Sequence, residues 1–194
     1  MLSAYALPTT ITSGGRVYAI RNQGDYRVIL DVIAALNDID LEEDERAEAA
    51  LTIFLEADIY DLPDIGEAAQ QMCEFLSCGQ KEDDTKRHHP KLMDWQDDAP
   101  MIVSGVNRVL GMEVRAVPYL HWWTFVSAYM EIGESTLATV ISIRDKTARG
   151  KKLEKHEREF KRDHPEYFTF SSDKARRKKD MDNIAALWGK GDDN

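Results

Sequence analysis

Asp25-Tyr26-Arg27-Val28-Ile29-Leu30-Asp31-Val32-Ile33-Ala34-Ala35-Leu36-Asn37 is the stretch where the chain changes period, and its reading decides the fold class. Tyr26, Ile29, Leu30, Ile33 and Leu36 recur at the spacing of one helical face, and Asp25 stands where a side chain can cap the first turn. Upstream the pattern is different. Thr9-Thr10-Ile11-Thr12 and Arg16-Val17-Tyr18-Ala19-Ile20 are β-prone runs around Ser13-Gly14-Gly15, where glycine supplies the positive φ of a tight turn, so a hairpin is expected. Two strands alone are marginal in water; this hairpin must lean on the helices that follow.

Downstream the helical period continues. A second helix is expected from Glu43 to Ala57, with Ala47, Ala50, Leu51, Phe54 and Leu55 inward and Glu42, Glu43, Asp44 and Glu45 at the end where the helix dipole favours negative charge. Asp61-Leu62-Pro63 reads as a cap followed by proline in the first turn of a third helix, carrying Ile65, Ala68, Ala69, Met72, Phe75 and Leu76 and ending at Gly79. Residues 79–93 hold little that can be buried and read as an exposed, flexible linker. Beyond it, Pro100 suits the first turn of a helix with Ile102, Val106, Val109 and Leu110 inward, stopped by Gly111. Pro118 to Met130 reads as a further helix, ending before Gly133. Ser135 then caps one bearing Leu137, Val140, Ile141 and Arg144, and Gly150 to Arg162 is an almost wholly charged surface helix. Residues 171–181 are basic and polar, and Met181, Ile184, Ala185, Leu187 and Trp188 form a short amphipathic stripe. The expected fold is mainly α: a helical bundle with a small N-terminal β-hairpin and a charged C-terminal helical tail. Its expected parts are residues 1–78, the linker 79–93, a helical domain 94–170 and a basic and amphipathic tail 171–194.

Of the 194 residues 43% are hydrophobic and 31% charged, enough to bury a core on folding. No apolar run approaches the roughly 18 residues of a membrane span, and the start carries no secretory pattern, so a cytoplasmic setting without membrane contact is expected. Cys73 and Cys78 read as reduced, half-buried thiols. The net charge of −10 is unevenly spread. Residues 1–143 hold 24 acids and 10 bases, whereas residues 144–194 hold 11 acids and 15 bases. An acidic body repels nucleic acid over most of its surface.

Catalytic patterns are sparse. His88 and His89 stand beside Asp83 and Asp84, but a linker fixes no metal geometry. Cys73 and Cys78 lack zinc or redox spacing, and no phosphate loop, nucleophile elbow or acid–base pair is recognisable. The reading is a non-enzyme without metal or cofactor. The basic run Lys174-Ala175-Arg176-Arg177-Lys178-Lys179 offers contacts to an anionic partner, and a nucleic-acid-binding accessory role through it is the alternative function. It lacks interleaved aromatics and a groove-reading helix signature, so nucleic acid is the less favoured partner.

His121-Trp122-Trp123-Thr124-Phe125 remains. Adjacent tryptophans on a helix point about 100° apart and cannot both face one narrow stripe. Either both pack within a thick helical core, or one reaches a second contact, where tryptophan is a frequent hot-spot residue. Trp122, Trp123, Phe125 and neighbouring Tyr129 are therefore the candidate partner-binding residues.

From Met93 onward the chain resembles the bacteriophage gp-fifteen family of siphophage and prophage tail modules in Gram-positive hosts. The likeness rests on the acidic lead-in Asp94-Trp95-Gln96-Asp97-Asp98-Ala99-Pro100, the helix ending Gly111-Met112, and Tyr119-Leu120-His121-Trp122-Trp123-Thr124-Phe125. It continues through Glu131-Ile132-Gly133-Glu134-Ser135-Thr136 and Ile143-Arg144. Leu7-Pro8, Tyr18-Ala19-Ile20 and Asp25-Tyr26-Arg27 extend it to the start, so it touches most of residues 7–165 and no motif after Phe168. The resemblance implies a tail-assembly chaperone that coats the tape-measure protein and keeps it soluble until tube subunits polymerise, with tail-tube protein and self-association as further contacts.

Overall fold

The computed structural model describes residues 5–80, 90–173, 175, 178, 179 and 181. Among these, seven α-helices and one two-stranded antiparallel sheet are formed, so the mainly α class with an N-terminal hairpin holds. Strands β1 (Thr10–Ser13) and β2 (Arg16–Ala19) pair in the register Ile11 with Tyr18 and Thr12 with Val17. The helices are α1 (Tyr26–Leu36), α2 (Glu43–Phe54), α3 (Ile65–Leu76), α4 (Ala99–Leu110), α5 (Trp122–Met130), α6 (Thr136–Ala148) and α7 (Lys155–Asp163).

Two compact units divide the chain. The first comprises residues 1–89 and 103–132, the second residues 90–102 and 133–194, and α4 starts in the second and ends in the first. The Leu-His-Trp-Trp segment thus belongs with the N-terminal helices, whereas the sequence placed it in a domain of residues 94–170. The reason lies in packing: Phe125 of α5 stacks on Tyr26 of α1, with centroids 4.5 Å apart and planes 5° from parallel. The expected linker 79–93 lies outside the described residues over 81–89.

In the first unit the hairpin leans on α3, as the marginal stability of two strands requires. Gln71 clamps Thr12 twice, its Oε1 accepting from the backbone N–H at 2.8 Å and its Nε2 donating to the carbonyl at 2.5 Å. The hydroxyl of buried Ser13 donates to Asp64 O at 2.6 Å. Asp25 caps α1 as expected, accepting from Arg27 N. The buried face of α1 is Tyr26, Ile29 and Val32, with Leu30, Ile33 and Leu36 half-buried.

Three expected boundaries move. Helix α2 stops at Phe54 instead of Ala57 because Leu55 turns extended (φ −100°, ψ 151°) to pair with Ile20, and Arg21 donates to the carbonyls of Ile53 and Leu55. Asp64, not Asp61, caps α3, accepting from Glu67 N, and Pro63 stays outside the helix against Gly14. Helix α5 begins at Trp122 instead of Pro118, since Leu120 and His121 are spent on contacts with the start of α1.

The second unit is built around α6, whose Leu137, Val140 and Ile143 are buried and whose cap is Ser135, accepting from Ala138 N. Arg144 is its hub. The guanidinium forms a two-pronged ion pair with Asp98 at 2.6 and 2.9 Å, donates to Leu92 O at 2.9 Å and to Tyr167 O, and lies 4.4 Å from the Phe170 ring centroid. The charged helix α7 starts at Lys155, later than the expected Gly150, and its capping box is closed by Glu154 and Glu157. Lys146 donates to Glu157 at 2.6 Å and holds that carboxyl below its usual range.

Candidate partner-binding surfaces

The tryptophan pair is used inside the first unit. Trp122 is 2% exposed and Phe125 1%, so neither presents a surface to a partner, and the sequence-based assignment of both as partner contacts is corrected on that ground. Trp123 and Tyr129 are half-buried. The two indoles do diverge, as helical geometry demands, and both find work at one place: Trp122 Nε1 donates to Leu76 O at 3.1 Å and Trp123 Nε1 to Phe75 O at 2.9 Å. These carbonyls belong to the last turn of α3; that of Phe75 also accepts from Cys78 N at 3.0 Å. Consecutive tryptophans thus tie down the end of a neighbouring helix.

His121 organises the same junction. Its Nδ1 accepts from Trp123 N at 3.1 Å and caps α5, which leaves Nε2 to carry the proton and donate to Pro8 O at 2.9 Å. The ring is 1% exposed, and burial pushes its pKa below the ordinary histidine value. Buried Asp25 accepts from Leu120 N at 2.9 Å and from Arg27, whose other arm donates to the carbonyls of Val114 and Val117. Gly24 lets this cluster close. It has φ +78°, and a Cβ there would stand 2.6 Å from Phe75 Cζ and 3.2 Å from His121 Nε2.

Two concave surfaces lie on the first unit, the first of them beside this cluster. One, of about 620 Å³, has mixed polar and apolar walls and includes Asn22, Gln23, Asp25, Arg27, Glu56 and Tyr119. Asn22 and Gln23 hold φ of 47° and 54° there, a left-handed pair that reverses the chain into the Asp25 cap. Tyr119 Oη donates to Gln23 O at 3.2 Å. The other, of about 400 Å³, runs along α2 and is lined by Leu41, Glu45, Glu48, Ala49, Thr52 and Ile53. The sequence turns Ala47, Ala50, Leu51, Phe54 and Leu55 inward and gives no role to this face. The available signal was apolar Leu41, Ala49 and Ile53 falling four to eight apart beside that core face.

Cys73 is exposed and Cys78 half-buried, with burial lifting the Cys78 thiol to about 11 and keeping it protonated. Among the described residues no group of three or more His, Cys, Asp and Glu side chains is placed to hold a metal ion. His88 and His89 lie outside the described residues, as do Lys174, Arg176 and Arg177 of the basic run; Lys178 and Lys179 are exposed. No described helix is long and apolar enough to cross a membrane.

With this geometry in place, the comparison with protein families is direct. The family described as Bacteriophage Gp15 protein matches residues 5–169, a span that holds the hairpin and the seven described helices. The chain belongs to that family and is a bacteriophage protein. No curated protein and no solved structure matches it significantly.

Proposed function

We propose that this protein is a non-enzymatic tail-assembly chaperone that binds the tape-measure protein in the host cytoplasm and keeps it soluble until the tail tube polymerises. The observation that carries the reading is family membership over residues 5–169, since the resemblance implies this role. Two physical features support it. A tape measure exposes long apolar helical stripes before assembly, and the first unit has an open apolar surface along α2 to offer one. A net charge of −10 keeps such a carrier soluble while that surface is uncovered. Weak, repeated contacts along one tape measure then let tube subunits displace the carrier.

Co-expression of this chain with the tape-measure protein of the same phage, a long helical protein, tests the reading. The expected outcome is that the long protein moves from the pellet to the soluble fraction and is retained by tagged full-length chain. A long protein equally insoluble with and without the chain, and not retained by it, overturns the proposal. Retention of DNA at physiological salt, lost when Lys174, Arg176, Arg177, Lys178 and Lys179 become Gln, favours the nucleic-acid reading instead.

A further inference from the structure

We infer that the groove along α2 is a docking site for one kind of partner: an amphipathic helix whose apolar stripe is bordered by lysine or arginine. The floor of the groove is apolar, formed by half-buried Leu41, Ala49 and Ile53. Thr52 joins it with its hydroxyl already donated to Glu48 O at 2.8 Å, so the threonine makes no polar demand on an occupant. The rim is acidic. Exposed Glu45 and Glu48 stand on it, and Glu42, Glu43 and Asp44 occupy the adjoining first turn. Exposed Tyr60 reaches the same edge, its hydroxyl on Glu48 Oε1.

Charge decides the occupant. Residues 41–53, the stretch that holds the groove, carry five acids and a single base, Arg46, so the groove lies in a strongly acidic part of the chain. A helix with a neutral or acidic border would meet repulsion there, and a second copy of the same groove would meet its own charge. An apolar stripe of leucine-like side chains fits the floor at i, i+3, i+4 and i+7 spacing, and flanking ammonium or guanidinium groups reach the rim carboxylates. The biological identity of the helix rests on the chaperone reading, in which it is a segment of the tape measure; the chemistry of the groove does not.

The test uses full-length protein and a fluorescein-labelled leucine/lysine amphipathic peptide about 14 residues long, with a leucine/glutamate peptide of the same pattern as control. The leucine/lysine peptide is expected to bind wild type, and to bind Ala49→Gln and the double variant Glu45→Gln, Glu48→Gln at least about tenfold more weakly. Thr52→Lys, on an exposed position of the same face, should act like Ala49→Gln and guards against one variant that folds poorly. Binding should also weaken as salt rises from about 0.05 to about 0.5 M. Equal affinity in wild type and correctly folded variants overturns the inference. So does equal binding of the leucine/glutamate peptide, or a wild-type dimer that Ala49→Gln turns into a monomer. If wild type and groove variants retain the tape measure equally, the groove assignment fails while the chaperone reading stands. If the peptide binds as expected but the tape measure is not retained by wild type, the chaperone reading fails and the groove stands.

Discussion

Gly24 shows how much one backbone position decides. It combines φ +78° with a neighbour that a Cβ would overlap, whereas Gly15 has φ +75° and open space around it. Gly24→Ala is therefore expected to cost about 2–4 kcal/mol, and Gly15→Ala only the conformational part, about 1–2 kcal/mol. Urea unfolding of the two variants checks the difference. His121 adds a pH dependence. The folded ring is neutral and burial lowers its pKa, while in the unfolded chain it takes up a proton near the ordinary value of about 6.5. Below that pH the unfolded state binds more protons, so the stability His121 contributes is complete above about 6.5 and falls as pH drops toward the folded pKa. The urea midpoint of wild type should decline more steeply over that window than that of His121→Gln; parallel curves would remove His121 as the cause. In the second unit, Arg144→Ala leaves Asp98 charged in a site where it is 1% exposed, with an expected loss of about 3–5 kcal/mol. Arg144→Met with Asp98→Leu should recover part of that loss, since the buried charge then goes with its partner, while the Leu92 and Tyr167 carbonyls lose donors and the Asp94 N–H loses its acceptor.

Helices here are held at their ends as much as along their faces. The carbonyls of Phe75 and Leu76 are bonded by the indoles of α5, Ile20 and Leu55 pair where α2 stops, and Asp25 pairs with His121 where α1 and α5 start. This explains why α5 begins with two tryptophans: each places its N–H on a different carbonyl of the same helix end. Trp123→Phe keeps the ring contact with Phe75 but removes the donor, for an expected loss of about 1–2 kcal/mol. Trp122→Ala, which empties a fully packed site, should cost about 3–5 kcal/mol. Thermal unfolding separates these two sizes. Any loss of tape-measure retention in Trp122→Ala is then expected to track loss of fold, and to be absent in Trp123→Phe.

At the scale of the molecule, apolar surface and charge are arranged together. Trp122 and Phe125, which look like bait for a partner, are consumed by the fold, and an open apolar surface lies on α2, in the most acidic stretch of the chain. For a carrier this division has a physical logic. Buried rings keep the scaffold rigid, while a shallow groove with charged rims binds weakly and releases. Tape-measure retention by wild type is accordingly expected to fall with added salt, and a retention that is constant or rises with salt would place the binding on a purely apolar surface.

Local rules in the sequence were sufficient for the mainly α class, the N-terminal hairpin, the caps at Asp25 and Ser135, the charged helix ahead of Phe168 and the family likeness. Each depends on residues a few positions apart, through period, turn chemistry or capping. The packing partner of the tryptophan pair depends on Phe75 and Leu76, some 46 to 48 positions away, and the end of α2 depends on Ile20. The grouping of residues 103–132 with the first unit and the empty face of α2 are likewise set by which helix sides meet. Periodicity says which side chains prefer burial; only the tertiary structure decides what buries them, and that choice turned the Trp122 helix into a strut and left α2 with surface to share.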